Sequence, residues 1–210
     1  MFEIIPGILE KDFAEIEKKI ESVKGFAKTI HIDIIDGKFA PNTTFLDPKP
    51  FTKYTNDFLF EVHLMVDEPI NYLDSFAAAG FKRFLGQVEK MSSQEDFVAK
   101  GELLGEVGLA LDVNTPLESL KADYQDLDCV LVMSVKAGFS SQEFMPEILE
   151  KVKMIREKSQ LPAEVDGGIN DTIIIRALNY GANRFVTTSF LFSGDPLTNY
   201  QKLISMVHQS

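Results

Sequence analysis

The sequence predicts an α/β fold, a closed (β/α)₈ barrel of the TIM type, in a single domain spanning residues 1–210. Three observations predict it. Apolar, β-rich runs of strand length recur eight times, helical stretches separate them, and no Pro-rich or Ser-rich linker interrupts the chain. Laid out as an open sheet, eight strands would leave two long edges to protect, and closure removes both. At 210 residues the chain is near the lower limit of about 200 for this fold, so its loops must be short.

The first strand is expected at 3–9, and the helix after it at 12–23 with Asp12 as its N-cap. The second strand, 29–35, is followed by the weakest helical stretch, 47–56, where Pro48 and Pro50 leave room only for a short or irregular turn. A third strand at 58–66 precedes a helix at 71–79 that stops before Gly80, and a fourth at 83–88 precedes a helix at 94–104 before Gly105. The fifth strand, 107–113, leads past Pro116 into a helix at 117–124. Strands at 129–135, 163–166 and 184–190 complete the set, followed by helices at 144–158, at 172–180 before Gly181, and at 196–208.

Charge and composition narrow the function. With 21 basic and 32 acidic residues the net charge is −11, which repels a phosphate backbone, and no basic stripe offsets it, so nucleic acid is not an expected partner. No apolar run approaches the ~20 residues of a membrane span, and the N-terminus lacks the features of a secretory signal, so a cytoplasmic protein is expected. The single cysteine, Cys129, lies in the apolar run Cys129-Val-Leu-Val-Met133 and reads as a buried core thiol of a reducing compartment.

In such a barrel, function gathers at the C-terminal ends of the strands, and four ionisable residues fall there. His31 and Asp33 are two apart on the second strand and so share a face; His63 is late on the third, and Asp166 ends the seventh ahead of Gly167-Gly168. Two imidazoles and two carboxylates at one point make a divalent-metal site suited to zinc, iron, cobalt or manganese, with the identity open. The bland alternative for each residue alone is a hydrogen-bonded core histidine or a loop-capping aspartate. His208, the third histidine, sits at a helix C-terminus and reads as a solvent-exposed partner of the helix dipole.

The segments Pro6-Gly-Ile-Leu9, His31-Ile-Asp-Ile-Ile-Asp-Gly37, Phe39-Ala-Pro-Asn42 and His63-Leu-Met65 occur in order along the chain. Val132-Met133, Gly138-Phe139, Gln142-Glu-Phe144 and Val165-Asp-Gly-Gly-Ile169 continue the series. Together they resemble the ribulose-phosphate 3-epimerases, over nearly the whole chain as far as Phe192. The resemblance implies a barrel of the ribulose-phosphate-binding type that interconverts D-ribulose 5-phosphate and D-xylulose 5-phosphate by inverting C3. It further implies one divalent metal ion held by His31, Asp33, His63 and Asp166. Inversion beside a carbonyl takes a proton from one face and returns one to the other through a planar enediolate, so Asp33 and Asp166 are expected to alternate as general base and general acid.

For the substrate, a phosphorylated ketose, the resemblance implies contacts at Gly7, Met65, Met133, Gly138, Phe139, Ser140, Ser141, Gly167, Gly168, Thr188 and Ser189. Flexible core filler is an equal reading of the two methionines. Several positions depart from the family. Its Gly-Phe-Gly-Gly-Gln reads Gly138-Phe139-Ser140-Ser141-Gln142, and serine resists the positive φ that glycine adopts freely. Its Gly-Ser after strand eight reads Thr188-Ser189, its first-strand serine is Gly7, a methionine is Ile35, and a fourth-strand histidine is Gln87. These changes keep open an epimerase of another ketose phosphate, or a metal- or sugar-phosphate-binding barrel without turnover. A decarboxylase or hexulose-phosphate synthase ranks low, because the third strand reads Glu61-Val-His63-Leu-Met-Val-Asp67 without the lysine of their pattern. Residues 139–146 are expected to form a mobile lid hinged at Gly138. Family members are often dimers or hexamers, which leaves a homo-oligomer open.

Overall fold

The computed structural model describes residues 2–139 and 141–209. Its strands are β1 (Glu3–Ile8), β2 (Thr29–Ile35), β3 (Leu59–Met65), β4 (Arg83–Gln87), β5 (Glu106–Leu111), β6 (Cys129–Met133), β7 (Ala163–Asp166) and β8 (Arg184–Thr187). All pair in parallel with their sequence neighbours, and β8 returns to β1, closing the expected eight-stranded barrel. The helices are α1 (Phe13–Val23), α2 (Leu73–Ala78), α3 (Gln94–Glu102), α4 (Ile148–Lys158), α5 (Ile173–Asn179) and α6 (Pro196–His208).

Strand alternation separates two interiors. On β2, Ile30, Ile32 and Ile34 join the apolar core between sheet and helices, while the alternate His31 and Asp33 face the lumen. On the outer side, Phe51 is fully buried and packs edge-on to Phe13, Phe60 and Phe81, with ring centroids 5.3, 5.6 and 5.3 Å away. The lower lumen is ionic: Arg83, Glu61 and Glu164 are buried there near Arg184, Glu3 and Glu106.

Local signals account for most boundaries. Asp12 caps α1 by accepting from Ala14 N at 2.7 Å, and Asp195 caps α6 by accepting from Thr198 N at 2.8 Å ahead of Pro196. The Pro48 and Pro50 segment forms only a 3₁₀ turn, Lys49–Tyr54.

One expected helix is absent. Residues 117–124 instead hold a 3₁₀ turn, Leu117–Ser119, followed by extended backbone and a second turn, Tyr124–Asp126. Gln94, from α3, takes the backbone groups that a helix would need: its side chain donates to Ser119 O at 2.8 Å and accepts from Lys121 N at 2.6 Å. Asp123 then caps the second turn through Gln125 N at 3.0 Å. Several further expectations are shortened, among them strand six, which ends at Met133 rather than 135. Strand eight ends at Thr187 rather than 190, because Phe190 already leads into the 3₁₀ turn Leu191–Ser193. Residues 144–147 stay outside α4, where Met145 N donates to Ser134 O at 2.8 Å.

Among the described residues no helix is long and apolar enough to cross a membrane. Cys129 is buried and free, and burial pushes its thiol pKa up. His208 is exposed, with Phe2 against its ring at 5.4 Å.

Candidate active site and metal centre

Register along the barrel brings the strand-end residues to one level. Asp33 pairs with His63 across β2 and β3, and Met133 with Asp166 across β6 and β7. His63 Nδ1 is 3.1 Å from Asp33 Oδ1 and 3.5 Å from Asp166 Oδ2, and His31 Nε2 is 3.3 and 3.9 Å from the same two oxygens. These four donor atoms all lie within 4.8 Å of one another, and all four residues are buried. The structure therefore brings together the four residues singled out at the strand ends.

The outer nitrogen of each imidazole is committed elsewhere. His31 Nδ1 donates to Glu61 Oε1 at 2.6 Å, the other Glu61 oxygen accepts from Arg83 Nη1, and Arg83 Nε donates to Glu106 Oε2 at 2.6 Å. Gln87 satisfies its neighbours when its Oε1 accepts from His63 Nε2 at 3.1 Å and its amide N donates to Ala110 O at 3.0 Å and Glu89 Oε2 at 2.7 Å. These bonds fix both tautomers, so His31 Nε2 and His63 Nδ1 turn lone pairs toward the two aspartates. Four acceptors converging in a buried space require a cation or protons between them. The donor set, two imidazole nitrogens and two carboxylate oxygens, fits a divalent transition metal.

Electrostatics agree with that reading. Burial alone would lower the His31 pKa, but the charge of Asp33 and the carboxylates of Asp33, Glu164 and Glu61 facing the ring outweigh it and hold it well above the ordinary value. His63 is raised likewise, against its burial, by hydrogen bonds to Asp166 and Asp33. Asp33 is lowered although burial opposes this, because both imidazoles face it. Below them, burial and the charge of Glu61 push Glu164 up to about 7. Its two oxygens have no hydrogen-bond partner among the described residues, and His31 Nδ1 is 3.6 Å away.

Above the cluster, Asp33 and Asp166 open into a cavity lined also by Leu9, Met65, Met133, Val135, Gly138, Phe139, Ser141, Gln142, Gly167, Gly168, Thr188 and Ser189. Every substrate-contact residue expected from the sequence lines it except Gly7, which is buried behind, and Ser140, which lies outside the described residues. Ser141 adopts a φ of +61°, the conformation that glycine takes more readily. Gln142 Nε2 braces that loop by donating to Lys136 O and Phe139 O, each at 2.7 Å. Gly167 has a φ of +114°, and a Cβ there would come within 2.5 Å of Val135 Cγ2.

Four supporting residues escaped the sequence reading. Thr44 donates to Asp33 O at 2.8 Å, and Ser134 Oγ donates to Asp166 O at 2.8 Å, pinning the backbone of both aspartates. Glu61 lies two residues before His63, a spacing that already placed it on the lumen face. Arg176, on α5, lines an outer cleft continuous with the cavity through Ser141, Gln142, Gly168 and Ser189, and only the closed barrel puts it there.

The profile of the ribulose-phosphate 3 epimerase family matches residues 3–192. The chain belongs to that family. This ribulose-phosphate 3-epimerase family member is 36% identical over 197 residues to the ribulose-phosphate 3-epimerase of Schizosaccharomyces pombe, covering 90% of this chain and 86% of the relative. It is 35% identical to that of Synechocystis sp. over 222 residues, with 99% and 93% covered, and 34% identical to that of Bacillus subtilis over 206 residues, with 91% and 93% covered. Such epimerases are isomerases acting on carbohydrates. Among solved structures, 3-keto-L-gulonate-6-phosphate decarboxylase from Vibrio cholerae aligns with a TM-score of 0.76 at 10% identity, covering 100% of this chain and 99% of the other. At such low identity the likeness carries the fold alone.

Proposed function

We propose that this chain interconverts D-ribulose 5-phosphate and D-xylulose 5-phosphate, using Asp33 and Asp166 as the paired acid and base. One observation carries the reading: carboxylates from β2 and β7 meet at the floor of one cavity, with their near oxygens within 4.8 Å of each other and of the two imidazole nitrogens. One aspartate takes the C3 proton while the other returns a proton to the opposite face of the planar enediolate, and the roles exchange when the reaction runs backward. His31, Asp33, His63 and Asp166 would hold one divalent ion, Zn, Fe, Mn or Co, which when bound supplies Lewis-acid stabilisation of negative charge on the substrate oxygens. Met65 and Met133 keep water from the reacting carbon, and the backbone N–H groups around Gly167, Gly168 and Ser189 take the phosphate.

The test incubates the protein with D-ribulose 5-phosphate and each of the four metals in turn, following D-xylulose 5-phosphate and solvent deuterium at C3. Product with at least one metal supports the reading; no product and no exchange with any of them overturns it. A second reading, epimerisation of another ketose phosphate, is favoured by Thr188 and Ser141 at the cavity wall. Comparing hexulose and pentulose phosphates in the same assay separates the two.

A further inference from the structure

We propose that the Thr188 hydroxyl hydrogen-bonds an oxygen of the bound sugar at the β1–β8 corner of the cavity, and that position 7 is glycine in order to house it. The inference deepens the sugar-phosphate reading above and rests on it.

The two positions are neighbours by register. Pro6 pairs with Thr187 across β1 and β8, so Gly7 and Thr188 follow side by side. A Cβ on Gly7 would overlap Thr188 Oγ1 and lie 2.7 Å from Val186 Cγ1. Gly7 does not occupy the left-handed region of backbone space, so space rather than conformation demands glycine there. Thr188 thus fills the volume that any side chain at position 7 would claim.

The hydroxyl is also unspent. Thr188 lines the cavity together with Asp33, Asp166 and Ser189, and its Oγ1 makes no hydrogen bond among the described residues, while its backbone carbonyl accepts from Phe192 N at 3.2 Å. A bound ligand that strips water from that oxygen must replace the lost hydrogen bond or incur the cost of leaving it unpaired. A threonine hydroxyl both donates and accepts, so a ketose, which offers hydroxyl and carbonyl oxygens, satisfies it.

The test compares wild type, T188S, T188V, G7S and the double variant G7S/T188G, each metal-loaded, in kcat/KM for D-ribulose 5-phosphate, in affinity for that sugar by calorimetry, and in melting temperature. T188V preserves shape and removes the hydroxyl; it is expected to lose about tenfold or more in kcat/KM and in affinity at an unchanged melting temperature. T188S keeps the hydroxyl and recovers most of the loss. G7S alone is expected to melt lower and bind poorly because of the overlap, and G7S/T188G to regain both by returning a hydroxyl from β1. T188V with wild-type affinity overturns the proposal, as does G7S with wild-type stability. Wild type that binds the sugar without turning it over defeats the epimerase reading alone, and the T188V affinity still decides the role of the hydroxyl; wild type that does not bind it defeats both.

Discussion

His31 Nδ1 donates to Glu61 at 2.6 Å, and the same carboxylate accepts from Arg83 through its other oxygen. Glu61 therefore orients an imidazole of the four-residue donor cluster while neutralising a buried guanidinium. Glu61→Gln keeps the shape and removes the charge. It should weaken zinc binding by about 10- to 100-fold, the range for outer partners of ligating histidines, and lower the melting temperature because Arg83 loses its buried counter-charge. Calorimetric titration with zinc measures the first effect; an affinity equal to wild type would show that the bond does not orient His31.

Asp166→Asn tests the acid/base assignment. Removing one proton carrier should cost about 10²- to 10⁴-fold in kcat and suppress solvent deuterium incorporation at C3 by a similar factor. Mass spectrometry of the sugar in deuterated buffer reads this directly, and exchange at the wild-type rate would refute the role.

The metal-free protein should be most stable at mildly acidic pH. Glu164 rises from an ordinary 4.5 to about 7, so through that window the folded protein holds a proton that the unfolded chain releases, and stability falls as pH rises. His31 and His63 are also raised; their contribution is complete below the ordinary 6.5 and is lost as pH climbs through the folded values. Asp33 and Glu61 are lowered, against their burial, by the imidazoles that face them, with Arg83 adding to the effect on Glu61. Their contribution is present above the ordinary carboxylate values and is lost in acid, down to about 2 for Glu61. Scanning calorimetry should show the melting temperature falling from pH 6 to 8.5, with a shallower fall in Glu164→Gln. A rising melting temperature over that range would contradict the signs.

Phe51 anchors the outer core away from all of this chemistry. Phe51→Ala should cost about 3–5 kcal/mol in chemical denaturation, by loss of transfer energy and of three ring contacts, with zinc affinity unchanged. A loss below about 1 kcal/mol would mean that the neighbouring rings collapse into the gap.

The sequence carried the fold because barrel strands announce themselves locally: β2 and β7 have the bounds their apolar runs suggest, and α6 begins at its proline as read. Residues 117–124 carry a helical pattern yet form no helix because the side chain that unmakes it, Gln94, lies on a different element, and no local pattern registers a hydrogen bond supplied from outside. The four donor residues were legible for the opposite reason, since each sits at the end of its own strand and closure alone converges them. Glu61, Thr44 and Ser134 support the site through bonds to other segments, and Ser141 takes a φ of +61° that no serine pattern in the sequence announces.

The ionic floor of the barrel gives its far mouth a hold on the chamber above. Glu106, part-exposed at that mouth, grips Arg83, which grips Glu61, which grips His31. A charge reversal at Glu106 is thus expected to disturb the His31 imidazole it never touches, and tuning the cluster from underneath leaves the cavity walls above free to diversify.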